Sequence, residues 1–161
     1  MHLAQLNVGR LRAPMADPLI DDFRINLEPI NALAEETPGF VWRLQDEETG
    51  DATSINPFDD ELEIVNLTVW ESVDALADFT YRTGHVELLR RRREFFEVPS
   101  QPIVCLWWIP EGHIPTVDEA IARLEHLREH GPTPTSFTFR KRFEPGAAEA
   151  QEGSELDTCP A

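Results

Sequence analysis

Two stretches, residues 62–70 and 103–109, constrain the fold of this chain more than any other part of it. Both are strand-like, and the second (Ile-Val-Cys-Leu-Trp-Trp-Ile) has no polar face at all. A strand of that kind is buried on both sides, so the sheet that holds it must be covered twice. Along 62–70 the side chains alternate, which puts Asn66, Thr68 and Trp70 on one face with Leu62 and Ile64. An amide four residues from an indole, on one sheet face, can flank a flat ligand. It can equally be core packing with one satisfied asparagine.

The other elements follow from spacing and punctuation. Residues 2–8 alternate as a first strand, with Leu3, Gln5 and Asn7 on one face and His2, Ala4, Leu6 and Val8 on the other. Asp17-Pro18 is a helix start, N-cap then proline, and Phe23, Leu27, Ile30 and Ala34 follow at helical spacing. Pro29 is expected to kink or split that helix. Residues 40–45 form a second strand, and 46–60 a polar, turn-rich loop expected to be mobile. Ser72 caps a long helix over 73–96. Thr116-Val117-Asp118-Glu119 is a capping box for another, with Val117, Ile121, Leu124 and Leu127 on its stripe. Residues 136–143 alternate as a last strand.

The order is β-α-β-β-α-β with an added helix and strand, an α+β chain on the ferredoxin-like plan. Helices cover one face of such a sheet. The simplest cover for the other is a second copy, so a homodimer packed sheet to sheet is expected. Residues 1–143 make one domain; the acidic stretch 144–161 is expected to be a disordered tail in which Leu156 and Cys159 are the residues able to dock.

Asp and Glu number 30 against 14 Lys and Arg, a net charge of −16. That surface repels phosphate backbones and anionic lipid, so neither nucleic acid nor membrane is an expected partner. Cys105 and Cys159 make no disulfide framework, and there is no signal-like start or membrane-length apolar run. The expected location is the cytoplasm. Phosphate-cradling glycine loops, nucleophile elbows and zinc motifs are all missing from the sequence. His126 and His130 have metal-ligand spacing, but with no third ligand evident they are expected to lie on a solvated face, and no metal is expected.

Chemistry-bearing residues concentrate on the 73–96 helix. At 100° per residue, one wheel puts Arg82 and Arg93 close to Val86, Arg90 close to Phe79, and His85 beside Leu89 and Phe96. Guanidinium and imidazole on a sheet-facing side would offer a site for a carboxylate, a phenolate or a haem propionate, or else pair with the chain's own carboxylates. His85 is also the natural general base. Trp107 and Trp108 point to opposite faces, so Trp108 can line a pocket while its neighbour packs, and His113 sits in a loop that can reach a pocket mouth.

The run Asn66, Trp70, Glu71, Ser72 resembles the dimeric α+β barrel superfamily, whose antibiotic-biosynthesis monooxygenases often show Asn, Trp four residues on, then Glu-Ser opening a helix. Within it the chain resembles the domain of unknown function 3291 family. The segments that carry this are Leu3-Ala4-Gln5-Leu6-Asn7, Asn31-Ala32-Leu33-Ala34, Pro38-Gly39-Phe40-Val41-Trp42 and Trp108-Ile109-Pro110-Glu111-Gly112-His113. The resemblance implies a dimeric barrel and cofactor-free oxidation of electron-rich phenols beside Asn66 and Trp70. The pattern's tyrosine, six residues after the tryptophan, is Leu76 here. A haem-degrading branch uses a first-strand Asn, a Trp and a helix His; Asn7 and Trp70 match the first two, and Thr80 stands where the His is expected.

The resulting expectation is cofactor-free oxygenation of a flat aromatic or polyketide-like molecule between sheet and helices. Asn66 orients a carbonyl, Trp70 stacks on the substrate, His85 removes a phenolic proton and Arg82 stabilises the anion. Asn7, Trp108 and His113 complete the binding set. The competing expectations are haem held by His85 and a non-catalytic ligand-binding or structural dimer.

Overall fold

The computed structural model describes residues 1–150. Four strands make one antiparallel sheet: β1 (His2–Arg10), β2 (Phe40–Arg43), β3 (Glu63–Trp70) and β4 (Val104–Ile109), in the order β2-β3-β1-β4. Five helices accompany them: α1 (Asp21–Glu36), α2 (Val73–Arg82), α3 (His85–Arg90), α4 (Arg92–Phe95) and α5 (Val117–His130). This is the ferredoxin-like order with an added helix. The long central pairing of β1 and β3 fixes the register, with Leu3 opposite Trp70, Gln5 opposite Thr68 and Asn7 opposite Asn66.

The expected alternation holds on both central strands. One face presents Ala4, Leu6, Val8, Val65, Leu67, Val69, Cys105, Trp107 and Ile109, all buried. Its cover is α5, which lays Ala120, Leu124 and Leu127 on it, flanked by Trp42, Leu44 and Ile55. The apolar face therefore closes within one chain, and the argument that a second sheet is needed to cover it does not hold. Thr116 caps α5 by accepting from Glu119 N at 3.1 Å, but the reciprocal half of the expected capping box is not made, since the Glu119 carboxylate binds Trp107 and His113 instead.

Helices α1 and α2 cover the opposite face. There Leu3, Trp70 and Leu106 pack with Ala34, Val73, Leu76 and Phe79. At the far end of the same face a separate cluster joins Leu11, Ile20 and Phe95 with Phe23, Leu62, Ile64, Leu88 and Phe96. Gly9 makes that end possible, because a Cβ there would lie 2.8 Å from the Phe96 ring. Gly39, with φ of +87°, turns the chain from α1 into β2 against Ala75, 2.5 Å from where its Cβ would stand.

Four expectations are corrected. Helix α1 runs unbroken through Pro29; the carbonyl of Ile25 loses its partner there, and Ile25 is exposed, where water can replace it. Asp17 caps a 3-10 turn (Pro18–Ile20) that precedes α1, accepting from Leu19 N at 2.9 Å. The 73–96 helix is three helices: Thr83 is extended, and its hydroxyl bonds Phe79 O, ending α2. The last strand is reduced to two isolated bridges, Ser136 with Thr133 and Phe137 with Leu106, after which residues 138–141 turn back on themselves. Of the expected tail, 144–150 begins with a helical turn (Ala147 N to Glu144 O, 3.2 Å), and Leu156 and Cys159 lie outside the described residues. None of the helices among the described residues is long and apolar enough to cross a membrane.

Candidate functional site

On the helix-facing side of the sheet, polar side chains occupy the interval between the two apolar clusters. Asn7 and Asn66 face each other across β1 and β3, and Gln5 and Thr68 form the next pair. The rows beyond are apolar on both sides: Gly9 and Ile64 under Phe96, then Leu3 and Trp70 under α2. Asn66 is exposed and Asn7 half-buried, so this polar band opens to solvent at one end. Gln5 and Thr68 are buried.

At the closed end stands Trp70, fully buried. Its ring stacks on Phe79 at 5.3 Å between centroids and meets the edge of Phe40 at 5.4 Å. Its Nε1 donates to Thr68 Oγ1 at 2.9 Å, and Thr68 donates on to Gln5 Oε1 at 2.8 Å. His85, the first residue of α3, packs on the same Phe79 at 4.9 Å. Its Nδ1 lies 3.3 Å from Thr80 O, a group that can only accept, so Nδ1 carries the hydrogen and the neutral ring keeps its lone pair on Nε2. Burial pushes the His85 pKa below the usual range, and the Thr80 contact opposes this weakly, which keeps the ring neutral near pH 7. Further along α3, Leu88 packs against the far cluster.

The structure thus brings together Asn7 with Asn66, and Trp70 with His85 through Phe79. It separates the others. The side chain of Arg82 is 79% exposed and pairs with Asp78 at 3.0 Å, because the break at Thr83 removes it from the expected wheel. Arg90 is likewise exposed beside Glu87, whereas Arg91 ties α4 to α1 through Asp22 at 2.7 Å. Trp108 lies at the β4 edge, closed off by Phe143, whose carbonyl accepts from its Nε1 at 2.7 Å. His113 sits on the α5 side, 2.8 Å from Glu119, which also accepts from Trp107 Nε1 at 3.1 Å.

Sequence reasoning missed Gln5. The signal was a second amide on the Asn7 face of β1, set opposite Thr68. His126 bonds Thr133 Oγ1 at 3.0 Å, and among the described residues no group of three or more His, Cys, Asp or Glu side chains could hold a metal. For haem, the His85 nitrogen is a suitable donor, but its ring lies against Phe79, and an axial ligand needs an open face beside it. An open cleft of about 650 Å³ lies instead between α1 and residues 49–53. The arginines in it, Arg24 and Arg43, are already paired with Asp21 and Glu35.

Fold order and site define an α+β protein of the ferredoxin-like plan with a polar band under its helices. The sequence matches the family described as Domain of unknown function (DUF3291) over residues 2–153, and the chain belongs to that family. A search of curated protein sequences gives no match. Among solved structures it is similar to SnoaB, a cofactor-independent oxygenase from Streptomyces nogalater, at 17% identity and a TM-score of 0.46, over 71% of this chain and 98% of that one. A variant of SnoaB in which one asparagine is replaced by alanine aligns at 16% identity and a TM-score of 0.47, with the same coverage. A protein from Chloroflexus aurantiacus named for antibiotic biosynthesis monooxygenases aligns at 15% identity and a TM-score of 0.44, over 70% and 97%.

Proposed function

We propose that this protein binds a flat, oxygen-bearing aromatic compound, phenolic or polyketide-like, in the polar band and oxygenates it without a cofactor. The observation that supports this reading is the state of His85. With Nδ1 committed to Thr80 O, its Nε2 is a neutral, half-buried base beside Phe79, the ring that stacks on Trp70.

Removal of a phenolic proton by Nε2 leaves an electron-rich phenolate. Molecular oxygen then takes both electron pairs from the ring: one oxygen atom enters as the quinone carbonyl and the other leaves as water. The substrate supplies all the reducing power. Asn66 and Asn7 offer amide hydrogens to the ring oxygens, and Trp70 under Phe79 closes the apolar end. Arg82 has no part in this scheme; the developing anion meets neutral amides.

Oxygen uptake with a dihydroxynaphthalene tests the reading. His85→Gln should lower the rate on the order of 100-fold or more, the size of a lost general base. Asn66→Ala should weaken binding. Because the imidazole pKa is lowered, the wild-type rate should already be at its plateau near neutral pH and fall only under acid. Uptake that neither variant alters would sink the proposal, and tight binding with no uptake would make the protein a carrier of such rings.

A further inference from the structure

Gln5 is 7% exposed, yet only half of its amide is engaged. Its Oε1 accepts from Thr68 Oγ1, which in turn accepts from Trp70 Nε1. Chemistry fixes the direction of this chain. An indole nitrogen only donates, so the Thr68 hydrogen passes onward and Gln5 meets it with oxygen. That orientation turns Gln5 Nε2 away from Thr68. Among the described residues nothing accepts from Nε2, and Ser136 Oγ is the sole buried side-chain polar atom there without a partner. Nε2 therefore touches open space. The next residues on the same face are Asn7 along β1 and Asn66 along β3, roughly 7 Å on. The hydrogens that Nε2 offers there are open to an oxygen of a bound molecule in place of water.

We infer that Gln5 is a ligand-binding residue whose Nε2 donates to a carbonyl or phenolate oxygen of the ring held beside Asn66, with Thr68 as the positioning residue that aims it. The inference rests on the ligand class proposed above and adds its selectivity. A hydrocarbon ring of the same shape would seal Nε2 from water and offer nothing in return, which is the situation that gives strong discrimination. Trp70 is tied to the same relay, so the wall of the site and its donor are set together.

Fluorescence titration with hydroxynaphthoquinone and with naphthalene tests this on wild type, Gln5→Met, Gln5→Glu, Thr68→Ser and Thr68→Val. Wild type should prefer the oxygenated ring by about 10-fold or more. Gln5→Met should keep naphthalene binding and lose the preference. Gln5→Glu still accepts from Thr68, so it should stay folded while repelling the anionic ring. Thr68→Ser should retain the preference; Thr68→Val should reduce it and move the Trp70 indole N–H resonance. Equal affinity of wild type for both rings, binding of neither, or an unchanged preference in Gln5→Met would overturn the inference. A preference lost in Gln5→Met, in a protein that consumes no oxygen, would remove the oxygenase reading and leave this donor standing.

Discussion

His85 shows how one side chain can be both a structural cost and a chemical asset. Packed on Phe79 and bonded at Nδ1, it is depressed in pKa chiefly by burial. The folded state then binds fewer protons than the unfolded chain below the ordinary histidine range of about 6.5. Stability contributed by the neutral ring is complete above that range and is lost as pH falls through the lower folded value. Urea unfolding across this window should show wild type losing midpoint as the solution is acidified, and His85→Gln losing less. Equal slopes in the two proteins would mean the imidazole is not buried as described. At this scale the sequence told half the story. Asn66 was legible because period two puts it with Trp70, and its partner Asn7 is the same type on the neighbouring strand. Gln5 was not, because its importance lies in the cross-strand relay to Thr68 and Trp70, which pairing reveals and spacing does not. The role of Arg82 depended on a helical wheel that ends at Thr83.

Elements were read well where one period runs without interruption. Strands β1 and β3 keep their alternation over the whole pairing, so both faces came out as expected. The 73–96 stretch failed because the backbone turns extended at Thr83, just before Gly84, in a segment whose later turns bury little: no residue of α3 is buried. Residues 136–143 alternate because Phe137, Phe139 and Phe143 pack on the helix-side cluster, which needs no extended ladder. Helix α5 did more than its moderate stripe suggested. It seals the apolar face that a second sheet was expected to cover. Leu124→Ala should therefore cost about 2–5 kcal/mol in chemical denaturation, as for a fully buried leucine. Sedimentation should show the variant more prone than wild type to associate further, through the loosened face. A cost well below 1 kcal/mol would show that α5 is a surface ornament.

Across the whole molecule, the two faces of one sheet serve different ends. The α5 side is apolar throughout its buried rows and reaches its polar groups only at the rim, in Glu119, His113 and the Trp107 nitrogen. The α1–α2 side is interrupted by the Gln5–Thr68 row, which satisfies the buried Trp70 N–H, and by the Asn7–Asn66 row, whose amides make no side-chain hydrogen bond among the described residues. A charge of −16 leaves the surface unattractive to polyanions. The assignment of the band as the site is best decided by mapping backbone-amide and side-chain resonances during titration with hydroxynaphthoquinone. Shifts concentrated on Gln5, Asn7, Asn66, Trp70 and His85 are the expected result. Shifts confined to Leu27, Asn31 and Arg43, in the cleft beside α1, would contradict it and move the site to the other side of that helix.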